Sequence, residues 1–276
     1  SKNPKKLDAF INKTIVPPCS FLYDHSSDYK NSRSVVDSLK STGHLDESNV
    51  DIKSTIAARE SFSPVRLYDE ISIELEALGI NKCHTFYLNK LASHQVMSFI
   101  HSEYYEKCRP LCKSFGLILS NHDQLNPQSI AGLDKFKCIS VLTNLISPWF
   151  YKDLFQNHYT YGRSLLSSGL LSAFVNRNII AENNYGAPDR NEISKRYKHL
   201  RNIEKDSRVQ LTINSLMDIP LNIGRLKGIC VATSNPIHFD SHYKFLKEYK
   251  KDSCSELISY FNANQALLED IFKLHS

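Results

Sequence analysis

The chain of 276 residues is long enough for one large domain or two small ones. A hydrophobic content of 41%, with 14 Phe and 14 Tyr, supplies a substantial core, and 23% charged residues is ordinary for a globular protein, so disorder of the whole chain is excluded. The net charge of +5 is spread along the sequence; its terminal basic cluster, Lys2, Lys5 and Lys6, reads as a solvated tail and specifies no nucleic-acid or lipid partner.

Seven cysteines, Cys19, Cys83, Cys108, Cys112, Cys138, Cys230 and Cys254, make an odd count without a CxxC pair. Several lie in apolar runs, as Cys138 does in Lys137-Cys138-Ile139-Ser140-Val141. This pattern favours reduced, buried thiols in a reducing compartment over a disulfide framework. No run of 18 apolar residues is present, so no transmembrane helix and no membrane insertion is expected. The start, Ser1-Lys2-Asn3-Pro4, has no signal-peptide pattern, so the expected location is the cytoplasm. It also lacks an initiator Met, which reads as a trimmed chain.

Taken in order, residues 7–13 form a turn or two of helix, stopped by Pro17-Pro18. Residues 26–54 are rich in Ser, Asp, Asn and Lys and read as a linker, so 1–62 is expected to be an N-terminal arm, partly flexible, before a domain at 63–276. Ser63 and Pro64 can cap and open a helix in which Leu67, Ile71, Leu75 and Leu78 recur at helical spacing. Gly79 ends it in a left-handed turn. A strand is expected at 83–88, a helix at 92–108 with Val96, Phe99 and Ile100 inward, and short strands at 115–119 and 137–142.

Two further helices are expected at 149–159 and 163–175, followed by a polar, exposed connection at 181–205 with room for a short helix. Leu216 to Leu221 and Leu226 to Thr233 read as two strands of a hairpin turning at Asn222-Ile223-Gly224-Arg225. Asp240 or Ser241 then caps a long helix to about Leu274, with an apolar stripe that includes Leu257, Ile258, Phe261 and Leu268.

Asp218-Ile219-Pro220-Leu221, Gly224, Lys227-Gly228-Ile229-Cys230-Val231-Ala232, Phe239 and the terminal helix together resemble the end of a GAF domain, over residues 209–274. The autoinducer-binding sensor domains are a second resemblance, through Trp149 and Tyr159. The resemblance implies an α+β fold of GAF/PAS type: an antiparallel sheet flanked by helices, with a long C-terminal helix. It also implies a small-molecule-binding sensory domain controlling an attached or partner output module, with a homodimer through the C-terminal helix. No cofactor is implied.

Within that expectation the ligand wall is Trp149, Phe150, Tyr159, Tyr161 and Arg163, because flat aromatic faces with one cation suit a small anionic ligand. The same residues can equally form a helix packed on a sheet. The alternative functions are a metal-dependent enzyme centred on His238, Asp240 and His242, which share a face if extended, and a protein-interaction scaffold without ligand. Cys83-His84 and His122-Asp123 are too far apart in sequence to read as a catalytic pair, and no GxGxxG or phosphate loop is present. The basic stretch Lys195 to Arg201 is flanked by Glu192, Glu204 and Asp206, which argues for a solvated helix face rather than nucleic-acid contact. No catalytic or metal-ligating residue is assigned.

Overall fold

The computed structural model describes residues 22–27, 32–56, 62–89, 91–119, 132–142, 158–163, 170–176, 190–223, 226–230, 241–242, 244–245, 247–248 and 255–264. Spatial contacts divide the chain into two compact units, Ser1–Ser140 with Thr233–Asp240, and Val141–Ala232 with Ser241–Ser276.

In the first unit strands alternate with helices: β1 (Tyr23–His25), α1 (Ser32–Ser41), β2 (Val50–Lys53), α2 (Pro64–Leu78), β3 (Cys83–Asn89), α3 (Ser93–Ile100), α4 (Glu103–Cys108), β4 (Cys112–Leu119) and β5 (Phe136–Leu142). The strands lie side by side in chain order. β1, β2, β3 and β4 pair in parallel, with Tyr23 opposite Val50, Ile52 opposite Phe86, and Phe86 opposite Phe115. Parallel neighbours need a crossover between them, and the intervening helices provide it.

Helix α2 forms for reasons visible in its sequence. Ser63 is extended (φ −151°, ψ 151°), Pro64 takes the first turn, and Gly79 closes the end in the left-handed region at φ 61°. Leu67, Ile71, Leu75 and Leu78 are buried. Each contributes roughly 1.5–3 kcal/mol relative to exposure.

The second unit contains β6 (Tyr159–Arg163), α5 (Leu170–Val175), α6 (Arg190–Ser207), α7 (Ile213–Ile223), β7 (Gly228–Ile229) and α8 (Ser255–Ala263). β6 pairs in parallel with β7, Tyr161 opposite Gly228. Leu171, Leu200, Ile203, Leu211, Leu216, Ile219, Leu257 and Phe261 form its core. Among the described residues no helix is long and apolar enough to cross a membrane.

These elements overturn the expected antiparallel GAF/PAS sheet, since every described pairing whose register is given is parallel. The hairpin around Gly224 is absent as such: residues 213–223 are the helix α7, and β7 pairs with β6 instead. Leu216 and Ile219 are three apart and both buried, which is helical spacing. Thr212 opens the helix by a reciprocal pair, Ser215 N–H donating to Thr212 Oγ1 at 3.1 Å and Thr212 N–H donating to Ser215 Oγ at 2.8 Å.

Residues 159–163, expected in part as helix, are strand β6. The polar stretch 181–205 carries most of α6, with Leu200 and Ile203 buried and Lys195, Lys198 and Arg201 exposed. Residues 23–53, read as part of an arm, supply β1, α1 and β2. Their strands are short and polar on one face, so the apolar signal is thin. The long C-terminal helix is described only as helical residues at 241–242, 244–245 and 247 and as α8, whose Leu257 and Phe261 are buried.

Candidate active site

The first unit's sheet has two chemically different faces. Phe115 on β4 stacks on Phe99 of α3 and Tyr105 of α4, with ring centroids 5.6 and 5.0 Å apart, so Phe115 faces the helices. Residues opposite each other in a parallel ladder point to the same side. Phe86, Ile52 and His25 therefore share that helix-facing side. His25 bears this out by bonding Glu74 of α2 at 2.8 Å.

Alternation places Asp24, Asp51, Lys53, Thr85, Tyr87, Asn89, Ser114, Gly116 and Ile118 on the other side. Strands of parallel sheets are usually apolar on both faces. A polar face is thus the departure that calls for a functional reason.

That face is graded along the strands. Toward the strand starts, Asp51 and Thr85 of this face both reach the imidazole of His84, a residue that alternates with them: His84 Nδ1 lies 3.1 Å from Asp51 and 2.9 Å from Thr85 Oγ1. Thr85 continues to Ser114 Oγ at 3.3 Å, and Cys138 Sγ lies 3.9 Å from Thr85 and 3.8 Å from Ser114. One ring nitrogen serves both Asp51 and Thr85, so this is a packing network and not a carboxylate–imidazole–nucleophile relay, which needs both nitrogens.

At the C-terminal ends of β2 and β3, Lys53 and Asn89 lie on this face, while Asp24 sits lower on it, level with Asp51 and Thr85. Asp24 Oδ1 is buried. Ser26, two residues beyond Asp24, is fully buried and its hydroxyl has no hydrogen-bond partner. Asn89 Nδ2 donates to the Ser54 carbonyl at 3.4 Å, which leaves its amide a second N–H.

Other clusters are less suited to chemistry. Burial pushes the Cys83 thiol up, and takes Cys108 and Cys112 to about 12, so these sulfurs stay protonated and unreactive. A cleft beside α2, lined in part by Ser27, Thr55, Arg66 and Asp69, holds about 250 Å3. That is below the ~300–1,000 Å3 of usual ligand pockets.

No family model and no curated protein matches the sequence. Solved structures do match. The aldo-keto reductase AKR11C1 from Bacillus halodurans aligns in its holo form at TM-score 0.63 and 14% identity, over 93% of this chain and 87% of that one. Its apo form aligns at TM-score 0.64 and 15% identity, over 94% and 87%. MGS-M4, an aldo-keto reductase from a Medee basin deep-sea metagenome library, aligns at 0.60 and 12%, over 94% and 87%.

The fold is that of the aldo-keto reductases. It is a parallel, TIM-barrel type, and at these identities the likeness establishes the fold alone. The GAF and autoinducer-domain resemblances are thereby corrected, and with them the sensory function and the scaffold reading. In TIM-barrel enzymes the active site lies at the C-terminal ends of the strands. Lys53 and Asn89 end β2 and β3 in this chain.

The residues expected from the sequence fall elsewhere. Trp149 and Phe150 lie outside the described residues. Tyr159, Tyr161 and Arg163 belong to β6; Tyr159 is exposed, Tyr161 packs over Gly228, and Arg163 ends the strand. The metal-enzyme alternative is also corrected: His238 and Asp240 lie outside the described residues, His242 is buried in a helical stretch, and no described group could hold a metal ion. Asp24, Lys53 and Asn89 were missed because each sits singly in its own strand. The alternation Thr85, Tyr87, Asn89 against Phe86, Leu88 was the available signal.

Proposed function

We propose that the chain is an oxidoreductase that reduces the carbonyl group of a small molecule, with its reacting centre at the C-terminal ends of β1, β2 and β3. The observation that carries the reading is the polar face ending in Lys53 and Asn89, within a fold shared with aldo-keto reductases. Turning a carbonyl into an alcohol takes one hydride to carbon and one proton to oxygen. No amino-acid side chain is a hydride donor, so a nicotinamide or flavin is required, and it supplies the hydride when bound. The buried Ser26 hydroxyl and the second N–H of Asn89 fit the carboxamide end of a nicotinamide.

The chain's own residues supply the rest. Lys53 is the cation on this face and donates the proton to the carbonyl oxygen as the alcohol forms. Lys53 then regains a proton from water, which closes the cycle. The ligand contacts expected from the sequence, Trp149, Phe150, Tyr159, Tyr161 and Arg163, are a separate proposal and form no part of this reacting centre.

The test is nicotinamide oxidation by the purified protein with a panel of aldehydes and ketones. Carbonyl-dependent turnover is expected, and Lys53→Met should lower kcat by roughly 100-fold, the usual scale for a lost acid–base group, with an unchanged circular dichroism spectrum. Absence of nicotinamide and flavin binding, together with absence of turnover, removes the proposal.

A further inference from the structure

The two residues after β2 leave the sheet, yet they are held tightly. Ser54 is fully buried, and its N–H donates to the Tyr87 carbonyl at 2.9 Å. Ser54 Oγ donates to Glu70 Oε2 at 2.6 Å, while Thr55 N–H and Thr55 Oγ1 donate to Glu70 Oε1 at 2.5 and 2.6 Å. Glu70 lies on α2 and is itself buried. A buried carboxylate is tolerated only with such donors, and in return its charge shortens and strengthens each bond. The Ser54 carbonyl then accepts from Asn89 Nδ2. A continuous line of buried polar groups thus runs from Glu70 on the helix, through Ser54, to Asn89 on the opposite face.

We infer that Glu70 is a positioning residue: it fixes the exit of β2 and, through Ser54, the orientation of the Asn89 amide in the proposed reducing site. The inference rests on the reductase reading. Strand-end loops are normally softer than the strands they follow. A reacting constellation needs its groups held to within about 0.5 Å, which such a brace from a rigid helix provides.

Two measurements test it on the full chain. The first is hydrogen exchange of the Thr55 and Ile56 amides. Exchange should accelerate in Glu70→Ala and stay near wild type in Glu70→Gln, whose amide can accept from Thr55 and donate to Ser54 Oγ. The second is steady-state kinetics. Glu70→Ala should lose roughly 10-fold or more in kcat, the scale of a hydrogen bond to a charged group, with a smaller change in KM, and Glu70→Gln should recover most of it.

Unaltered exchange in Glu70→Ala overturns the inference. So does a lowered melting temperature with kcat and KM intact, which would make Glu70 a stability residue only. If Glu70→Ala does not fold, Thr55→Val and Ser54→Ala remove the donors one at a time and must show the same two effects. The failures separate cleanly. A wild type without turnover sinks the reductase reading and leaves exchange to decide the brace. An active wild type with a fully active Glu70→Ala sinks the positioning role alone.

Discussion

Gly116 shows how closely single residues are constrained on the polar face. A Cβ there would come within 2.5 Å of the Tyr87 ring and 3.1 Å of the Cys138 carbonyl oxygen. Tyr87 is buried, and a hydrogen bond joins it to Cys138, so the ring has little room to retreat. Gly116→Ala is expected to destabilise the protein by about 1–3 kcal/mol, the cost of overpacking a filled core. Urea denaturation of the single variant and of the double variant with Tyr87→Leu checks this. The smaller side chain should restore part of the loss, and a loss unaffected by it would place the strain elsewhere. Neither this residue pair nor the polar face that ends in Lys53 and Asn89 is legible as a group in the sequence, because both depend on the register between strands.

At the scale of elements, α7 is where sequence reading and structure diverge most. Leu216 to Leu221 reads as a strand of a hairpin turning at Asn222-Ile223-Gly224-Arg225. Thr212 and Ser215 instead cap a helix whose Leu216 and Ile219 enter the second unit's core. Thr212→Ala should therefore cost about 1 kcal/mol, the typical value of a lost N-cap, measured as a lowered melting temperature; no loss would mean the cap is redundant.

Where caps and periodicity agreed, as in α2 with Ser63, Pro64, Gly79 and its leucines, the element was legible to the residue. Strands β3, β4 and β5 were also legible within a few residues. β1 and β2 were not, since three- and four-residue strands with one polar face look like linker. The resemblance to a GAF domain misled for a related reason: its residues were turn and scaffold positions, which many folds can share.

At the scale of the molecule, the hydrogen bond between His25 and Glu74 links stability to pH. The His25 hydrogen bond holds the Glu74 carboxyl below its usual value of 4.5, with burial opposing and a Ser27 hydrogen bond adding to it. A carboxyl depressed in the folded state contributes stability that is present above its unfolded value and lost as pH falls through the folded one. The urea midpoint should therefore decline below about pH 4.5, and His25→Ala should flatten that part of the profile. An unchanged profile would show that other carboxyls dominate acid unfolding. A homodimer through the C-terminal helix, if one forms, must use residues other than Leu257 and Phe261, which the second unit's core already buries.

By itself the sequence determined the strands β3, β4 and β5, the burial of Cys83, Cys108, Cys112 and Cys138, and where α2 begins and ends. These follow from local sterics, capping and the 3.6- and 2-residue periods, all written within a few positions of each other. Only the tertiary structure decided that the strands pair in parallel, and that Lys53 and Asn89 lie at the same end of one face. A strand's side chains alternate identically in parallel and antiparallel sheets. Direction and register are set by helices and partners tens of residues away, so neither the fold nor the candidate site can be read from any single stretch of the chain.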